Sequence, residues 1–188
     1  LTDPNQHDQA VRRLRTDIEH AERLDCTDVA VLVGRNQPPL DRTEQLEAVV
    51  AVVREVAPYA STADVTLHIE PVSATASQTY LLRKTATAAD LVDRVGYSNV
   101  GVLYDLYHQQ VTEGNILTTI AEHRDVISYL HIANVPDRGP TGDGELALES
   151  IVQSVVQQGH VSRIGCEFVA PETGLEVVDR ICAVVDAC

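Results

Sequence analysis

The sequence lacks methionine and tryptophan, and it contains one phenylalanine and a single lysine, Lys84. With so few aromatic side chains, the core must be built from Val, Leu, Ile and Ala, and an apolar content of 44% is sufficient for that. No run of about 18 apolar residues occurs, so the sequence predicts no transmembrane helix. Because no signal peptide is visible either, we expect a cytoplasmic protein without a membrane partner.

Basic residues are also scarce, with 14 Lys and Arg against 28 Asp and Glu, which gives a formal net charge of −14. A field of this sign repels phosphate backbones, so we expect no nucleic-acid partner. The acid excess and the near absence of lysine also suit a halophilic protein from a high-salt cytoplasm, where salt screens self-repulsion. An ordinary acidic bacterial protein is the alternative interpretation.

The spacing of apolar residues predicts helices and strands in strict alternation. The run "DVAVLVG" (28–34) is typical of a strand buried on both faces of a parallel sheet. Such alternation indicates parallel strands joined by right-handed crossovers, in one domain over residues 1–188. The predicted strands are 28–34, 65–70, 100–105, 127–135 and 163–168, and the predicted helices are 5–25, 41–57, 86–95, 114–123, 146–158 and 174–186.

Two α/β architectures fit this alternation: an open doubly wound sheet, or part of a (β/α)8 TIM barrel. No G-x-G-x-x-G follows a predicted strand, and no G-x-x-x-x-G-K-[ST] occurs. The usual nucleotide-binding motifs of an open sheet are therefore missing.

Ionisable side chains stand at the carboxyl ends of four consecutive predicted strands, which is where parallel α/β folds bind ligands. Taken singly, an acid at such a position is typical of a helix cap or an ion pair, and a histidine there is typical of the core. Three converging carboxylates, however, would repel one another unless a cation lay between them. A set of carboxylates with one imidazole suits Mn²⁺, Mg²⁺ or Co²⁺ better than a thiolate zinc site does. The residues predicted to bind the metal are Glu70, Asp105, His131 and Glu167.

Four segments that contain these residues resemble the xylose isomerase-like TIM-barrel superfamily, and within it the hydroxypyruvate isomerases and ketose 3-epimerases. They are "HIEPVS", "GVLYDLYHQQVTEGN", "YLHIANVPDRGPTGDGEL" and "IGCEFVAP". The resemblance implies a (β/α)8 barrel in which the same four residues bind the metal. It also implies that His108 and Arg138 contact the substrate, and that Glu145 has a structural role in its loop.

The reaction implied by this resemblance is a metal-dependent isomerisation or epimerisation of a sugar or keto acid. Glu70 and Glu167 would move a proton at a carbon next to a carbonyl, through an enediolate. Carboxylates on opposite faces of the substrate would give epimerisation, whereas a relay between adjacent carbons would give aldose–ketose isomerisation. His108 and Arg138 would hold substrate oxygens.

The sequence departs from the family pattern at several points. His131 stands where hydroxypyruvate isomerases tend to have Gln, Asn134 where Asp is common, and Gly139 where His is common, so the exact substrate stays open. The family barrel has eight βα units and we predict five, in a chain that begins at Leu1 instead of Met. We therefore expect a fragment that lacks roughly the N-terminal third of the barrel. Its two open sheet edges would favour pairing with another chain, including a homo-oligomer.

Other functions remain as alternatives. A sugar lyase or dehydratase would use the same metal site, and a non-catalytic sugar-binding or assembly fragment would use it without turnover. A Schiff-base aldolase needs a lysine at a strand end, which Lys84 does not provide. A phosphodiesterase of the endonuclease IV type needs more metal ligands, and the net charge disfavours DNA.

Overall fold

Five parallel strands form one sheet in the computed structural model, which describes residues 1–76, 78–140, 144–159, 161, 163–169 and 174–186. Their order in the sheet is their order in the chain, β1-β2-β3-β4-β5. A doubly wound sheet reverses its strand order, whereas a barrel continues in one direction, so the barrel prediction is confirmed. The strands are β1 (Asp28–Val31), β2 (Thr66–Ile69), β3 (Val100–Asp105), β4 (Ile127–Ile132) and β5 (Arg163–Cys166).

Helices connect successive strands and pack against one side of the sheet. Helix α1 (His7–Arg23) buries Val11, Leu14 and Ile18, whose spacing places them on one helical face. Helix α2 (Arg42–Thr62) begins with a capping box, in which Asp41 and Glu44 satisfy each other's backbone N–H groups. A 3-10 turn, Pro4–Gln6, precedes α1. The helices that follow α2 are α3 (Thr85–Val95), α4 (Leu106–Thr112), α5 (Ile116–Glu122), α6 (Leu148–Gln158) and α7 (Gly174–Asp186).

Two helix predictions were wrong in ways that have physical reasons. Helix α2 does not end at residue 57 but continues through Pro58. Ala57 and Ala60 are fully buried there, and this packing outweighs the hydrogen bond that proline removes. Helix α4 was not predicted, and it follows β3 without a loop because Asp105 caps it by accepting a hydrogen bond from the His108 N–H.

The prediction that strand 28–34 is buried on both faces was also wrong. The strand ends at Val31, Ala30 is exposed, and the side chain of Leu32 is 56% exposed. The reason is that β1 is an edge strand, so an apolar run there need not be covered on both sides.

The core lies between the sheet and the helices and is mainly aliphatic, as predicted. Leu67, Ile69 and Leu130 are completely buried in it, each contributing about 2 kcal/mol to stability. Because side chains alternate along a strand, the residues next to these on each strand point to the opposite face of the sheet. The sheet is strongly curved towards that face, as shown by the 2.8 Å contact between Asp28 on β1 and Arg163 on β5, which are separated by three strands. Within the described residues, no helix combines the length and hydrophobicity needed to cross a bilayer.

Candidate metal and substrate site

The four predicted metal ligands meet at the carboxyl ends of β2 to β5. Each offers one ligand atom, and these atoms all lie within 4.8 Å of one another. The sheet register explains part of this convergence, since Asp105 and His131 are paired residues on adjacent strands. The sequence predicted the convergence, whereas the binding of a metal stays a prediction. We call Glu70, Asp105, His131 and Glu167 the carboxyl-end cluster.

Two carboxylates of this cluster, those of Glu70 and Asp105, are electrostatically destabilised in their ionised form. Burial, followed by the charges of Asp105 and Glu167, raises the pKa of Glu70 to about 7. Burial also raises the pKa of Asp105 to about 6. A divalent cation would remove the repulsion, and its preferred ligands are carboxylate oxygens with at most one or two imidazoles. The residues present therefore fit a hard divalent metal ion.

Arg138 supplies positive charge to the cluster from the loop after β4. Its Nη2 atom lies 2.9 Å from Glu167 Oε2 and 3.2 Å from Asp105 Oδ2. His131 Nδ1 lies 2.7 Å from the same Glu167 oxygen, and this contact is the main reason why the pKa of Glu167 is lowered. For His131, burial acts to lower the pKa, but its contact with Glu167 raises it overall. Arg138 therefore points into the site, and its contact with a substrate stays a prediction.

His108 is buried beside the cluster, with only 3% of its surface exposed. Its Nδ1 atom lies 3.0 Å from Ser73 Oγ, and Ser73 is completely buried. Burial, with help from the charge of Arg138, lowers the pKa of His108 to about 4, so the imidazole is neutral. A neutral imidazole with one nitrogen occupied has one nitrogen left for a substrate oxygen.

Two residues near the site were missed by sequence reasoning. Ser73 follows Glu70 by three positions, within the segment "HIEPVS", but nothing in that segment indicates a contact with His108. Tyr107 lies under Arg138, with 5.4 Å between the guanidinium carbon and the ring centroid. The ring therefore packs against Arg138, the side chain that the resemblance implies contacts the substrate.

The loop that carries Arg138 is closed by hydrogen bonds between the Asn134 side chain and the backbone of Leu146. Asn134 accepts a hydrogen bond from the Leu146 N–H at 2.8 Å and donates one to the Leu146 carbonyl at 3.0 Å. The Glu145 N–H donates to the Val135 carbonyl at 3.0 Å, while its side chain is exposed, so a structural role of the side chain stays a prediction. Residues 141–143 of this loop lie outside the described residues.

A second polar cluster occupies the same curved side of the sheet, nearer the amino ends of the strands. His68 Nε2 lies 2.8 Å from Asp28 Oδ1, and His68 Nδ1 lies 2.9 Å from Ser128 Oγ. Arg163 Nε donates to Asp28 Oδ2 at 2.8 Å. Asp28, His68 and Arg163 border a cavity of about 450 Å³. We call Asp28, His68, Ser128 and Arg163 the interior network, and sequence reasoning missed it.

A parallel sheet in barrel order, with acids and an imidazole converging at its carboxyl ends, is typical of a TIM-barrel protein that has its functional site at that end. The family model for the xylose isomerase-like TIM barrel matches residues 1–183, and the chain belongs to this family. The resemblance stated from the sequence is thereby confirmed.

Individual relatives refine this comparison. The chain is 32% identical to hydroxypyruvate isomerase of Escherichia coli (strain K12) over 160 residues, which cover 85% of this chain and 61% of that relative. It superimposes on a crystal structure of AP endonuclease, family 2, from Brucella melitensis with a TM-score of 0.87 and 25% identity, covering 95% of this chain and 69% of the other. D-psicose 3-epimerase from Clostridium cellulolyticum H10 gives a TM-score of 0.78 at 19% identity, covering 100% and 70%, which shows a shared fold.

Proposed function

We propose that this chain carries the metal-binding and proton-transfer groups of a sugar or keto-acid isomerase or epimerase, similar to hydroxypyruvate isomerase. The observation that carries the proposal is the convergence of the four ligand atoms within 4.8 Å. The relative named hydroxypyruvate isomerase supports the type of reaction. The chain spans 61% of that relative's length, so the isomerase activity of the whole protein is proposed here and does not follow from the match alone.

Glu70, Asp105, His131 and Glu167 would hold the metal. A divalent ion bound there would supply Lewis-acid stabilisation of charge on a substrate oxygen. Glu70 follows β2 and Glu167 follows β5, so the two carboxylates approach the site from strands that are separated by β3 and β4. This separation suits two groups that take and return a proton at a substrate carbon.

His108 and Arg138 would orient the substrate. His108 is held by Ser73 on one nitrogen and is neutral, so it can exchange a hydrogen bond with a hydroxyl group. Arg138 forms ion pairs with Asp105 and Glu167. If a bound metal ion balanced the charge of those acids, the guanidinium could hold a substrate carboxylate or hydroxyl oxygen instead.

The alternative of a multi-metal phosphodiesterase receives less support. Within the described part of the chain, one group of His, Cys, Asp and Glu side chains has the geometry to hold a metal ion. A single such group favours enolisation chemistry over hydrolysis by several metals.

The proposal is tested by Mn²⁺ titration and by solvent deuterium exchange into hydroxypyruvate and a ketose. We expect one Mn²⁺ per chain and metal-dependent exchange. Glu70→Gln and Glu167→Gln should each reduce exchange by about 10²–10⁴-fold because a proton-transfer group is lost. The exposed Glu122→Gln serves as the matched control and should change neither quantity. Near-normal exchange in both site variants would refute the catalytic roles, and sugar binding without exchange would indicate a binding module.

A further inference from the structure

A cavity of about 460 Å³ lies between the segment that follows β1 and the segment that precedes α3. The two segments are joined by backbone hydrogen bonds, from the Leu81 N–H to the Gly34 carbonyl and from the Asn36 N–H to the Thr79 carbonyl. Both segments continue from the carboxyl ends of strands, so the cavity lies at the same end of the sheet as the cluster. The residues that line it include Asn36, Arg42, Tyr80, Arg83, Lys84 and Thr87.

Three cations border this cavity in a chain that has twice as many acids as bases. Among the described residues, neither Arg42, Arg83 nor Lys84 forms an ion pair, although six other arginines do. The acids nearest to Arg42 in sequence, Asp41 and Glu44, are occupied by the backbone N–H groups that begin α2. Positive charge is therefore concentrated here without a protein counterion.

The two arginines are held in place by backbone carbonyls. Arg42 Nη1 donates to the Leu81 carbonyl at 2.9 Å. Arg83 Nε donates to the Tyr80 carbonyl at 3.2 Å, and its Nη2 donates to the Gln78 carbonyl. A guanidinium has five N–H donors, so each arginine keeps donors for a ligand while its orientation is fixed. Pre-oriented guanidinium groups match the oxygens of a phosphate, and an ammonium adds a third charge.

Tyr80 connects the cavity with the carboxyl-end cluster. It borders the cavity, and its pKa is raised to about 12, mainly by burial and in part by the charge of Glu70. A ligand held by the three cations could therefore extend past Tyr80 towards the cluster.

We infer that the cavity bordered by Arg42, Arg83 and Lys84 binds the phosphate group of a phosphorylated sugar or keto acid. The three cations account for the phosphate group, whereas the sugar or keto-acid part of the ligand rests on the proposed function. The cavity would then determine which substrates are preferred, while the carboxyl-end cluster would act on their carbonyl end.

The test is calorimetric titration at pH 8 and low salt, without divalent metal, of inorganic phosphate and of a phosphorylated ketose. Both should bind saturably, and the phosphorylated ketose should bind more tightly. Lys84→Gln removes a charge from an exposed side chain without a described hydrogen bond, so the fold should persist; Arg42→Gln removes a second charge. Each variant should weaken both ligands about tenfold. Arg23→Gln, which removes an exposed charge elsewhere, should leave both affinities unchanged.

Equal losses in Arg23→Gln and the cavity variants would overturn the inference, because net charge alone would then explain them. So would binding that does not saturate, or binding of inorganic phosphate without binding of the phosphorylated ketose. The titration needs neither metal nor turnover. A chain that binds phosphate but exchanges no deuterium would refute the isomerase proposal and leave the phosphate site standing.

Discussion

The curved side of the sheet carries two polar clusters at opposite ends of the strands, and they differ in how their charges are balanced. In the interior network, burial acts to raise the pKa of Asp28, but hydrogen bonds from His68 and Thr27 and nearby positive charges lower it overall. In the carboxyl-end cluster, the pKa of Glu70 is instead raised to about 7. The network is satisfied by the protein itself, whereas the cluster is left with a surplus of negative charge. A barrel uses polar groups of the first kind for stability and those of the second kind for binding.

The largest expected effect comes from removing one acid from each cluster in the metal-free chain. Asp28→Ala would leave His68 and Arg163 without their shared partner, and the free energy of unfolding should fall by about 3 kcal/mol. Glu70→Gln should instead raise it by about 2 kcal/mol at pH 8, because a carboxylate with a raised pKa is destabilising when ionised. Urea denaturation in EDTA measures both values. If both variants lost stability equally, the contrast between the clusters would be wrong.

The pH dependence of stability sharpens the same contrast. The pKa of Glu70 rises from 4.5 to about 7 on folding, and that of Asp105 from 3.8 to about 6. Through these two carboxyl groups, the folded state binds more protons than the unfolded state between about pH 4 and pH 7. Buried His108, whose pKa is lowered to about 4, acts in the opposite direction but offsets only one of the two acids, so stability falls as the pH rises through this window. We expect a loss of about 2 kcal/mol, which should largely disappear in Glu70→Gln, because the effects of Asp105 and His108 then nearly cancel.

Saturating Mn²⁺ should flatten this dependence, since the metal binds the ionised carboxylates. Urea midpoints at pH 5 and pH 7.5, with EDTA or with Mn²⁺, measure the effect. A metal-free stability that rises across this window would contradict the raised pKa values.

A matched pair of glycines allows each cluster to be disturbed separately. A Cβ on Gly165 would lie 2.9 Å from His131 Cδ2, so Gly165→Ala should displace that ring and weaken Mn²⁺ binding about tenfold. A Cβ on Gly101 would overlap Ser128, a member of the interior network. Gly101→Ala should therefore lower the free energy of unfolding by about 1–2 kcal/mol.

Mn²⁺ titration and urea denaturation of both variants separate the two effects. The Mn²⁺ affinity of Gly101→Ala should match that of the unmodified chain, because no predicted metal ligand lies against Gly101. Equal losses of Mn²⁺ affinity in the two variants would show that the clusters are not independent.

The carboxyl-end cluster could be predicted because its signal is local. An apolar run predicts each strand, its last residues are read directly, and parallel strands bring those ends together. The interior network has no such signal, since Asp28 and Arg163 are 135 positions apart and meet only because the sheet curves. Helix α4 was missed because Asp105 was interpreted as a ligand alone, although its side chain also caps the helix.

The smallest expected effect concerns Ser73. Its side chain is neutral and fully buried, like a group that serves stability, but it contacts His108, which is predicted to bind the substrate. Ser73→Ala would remove the hydrogen bond to His108 Nδ1, which is worth about 1 kcal/mol, so kcat/KM should fall about fivefold. Mn²⁺ affinity should not change, because Ser73 contacts none of the predicted ligands in its described hydrogen bonds. Ser73→Thr, which retains the hydroxyl group, should recover part of the loss. If Ser73→Ala instead changed Mn²⁺ affinity and kcat/KM by the same factor, Ser73 would support the metal site as a whole, and a specific role in orienting His108 would be refuted.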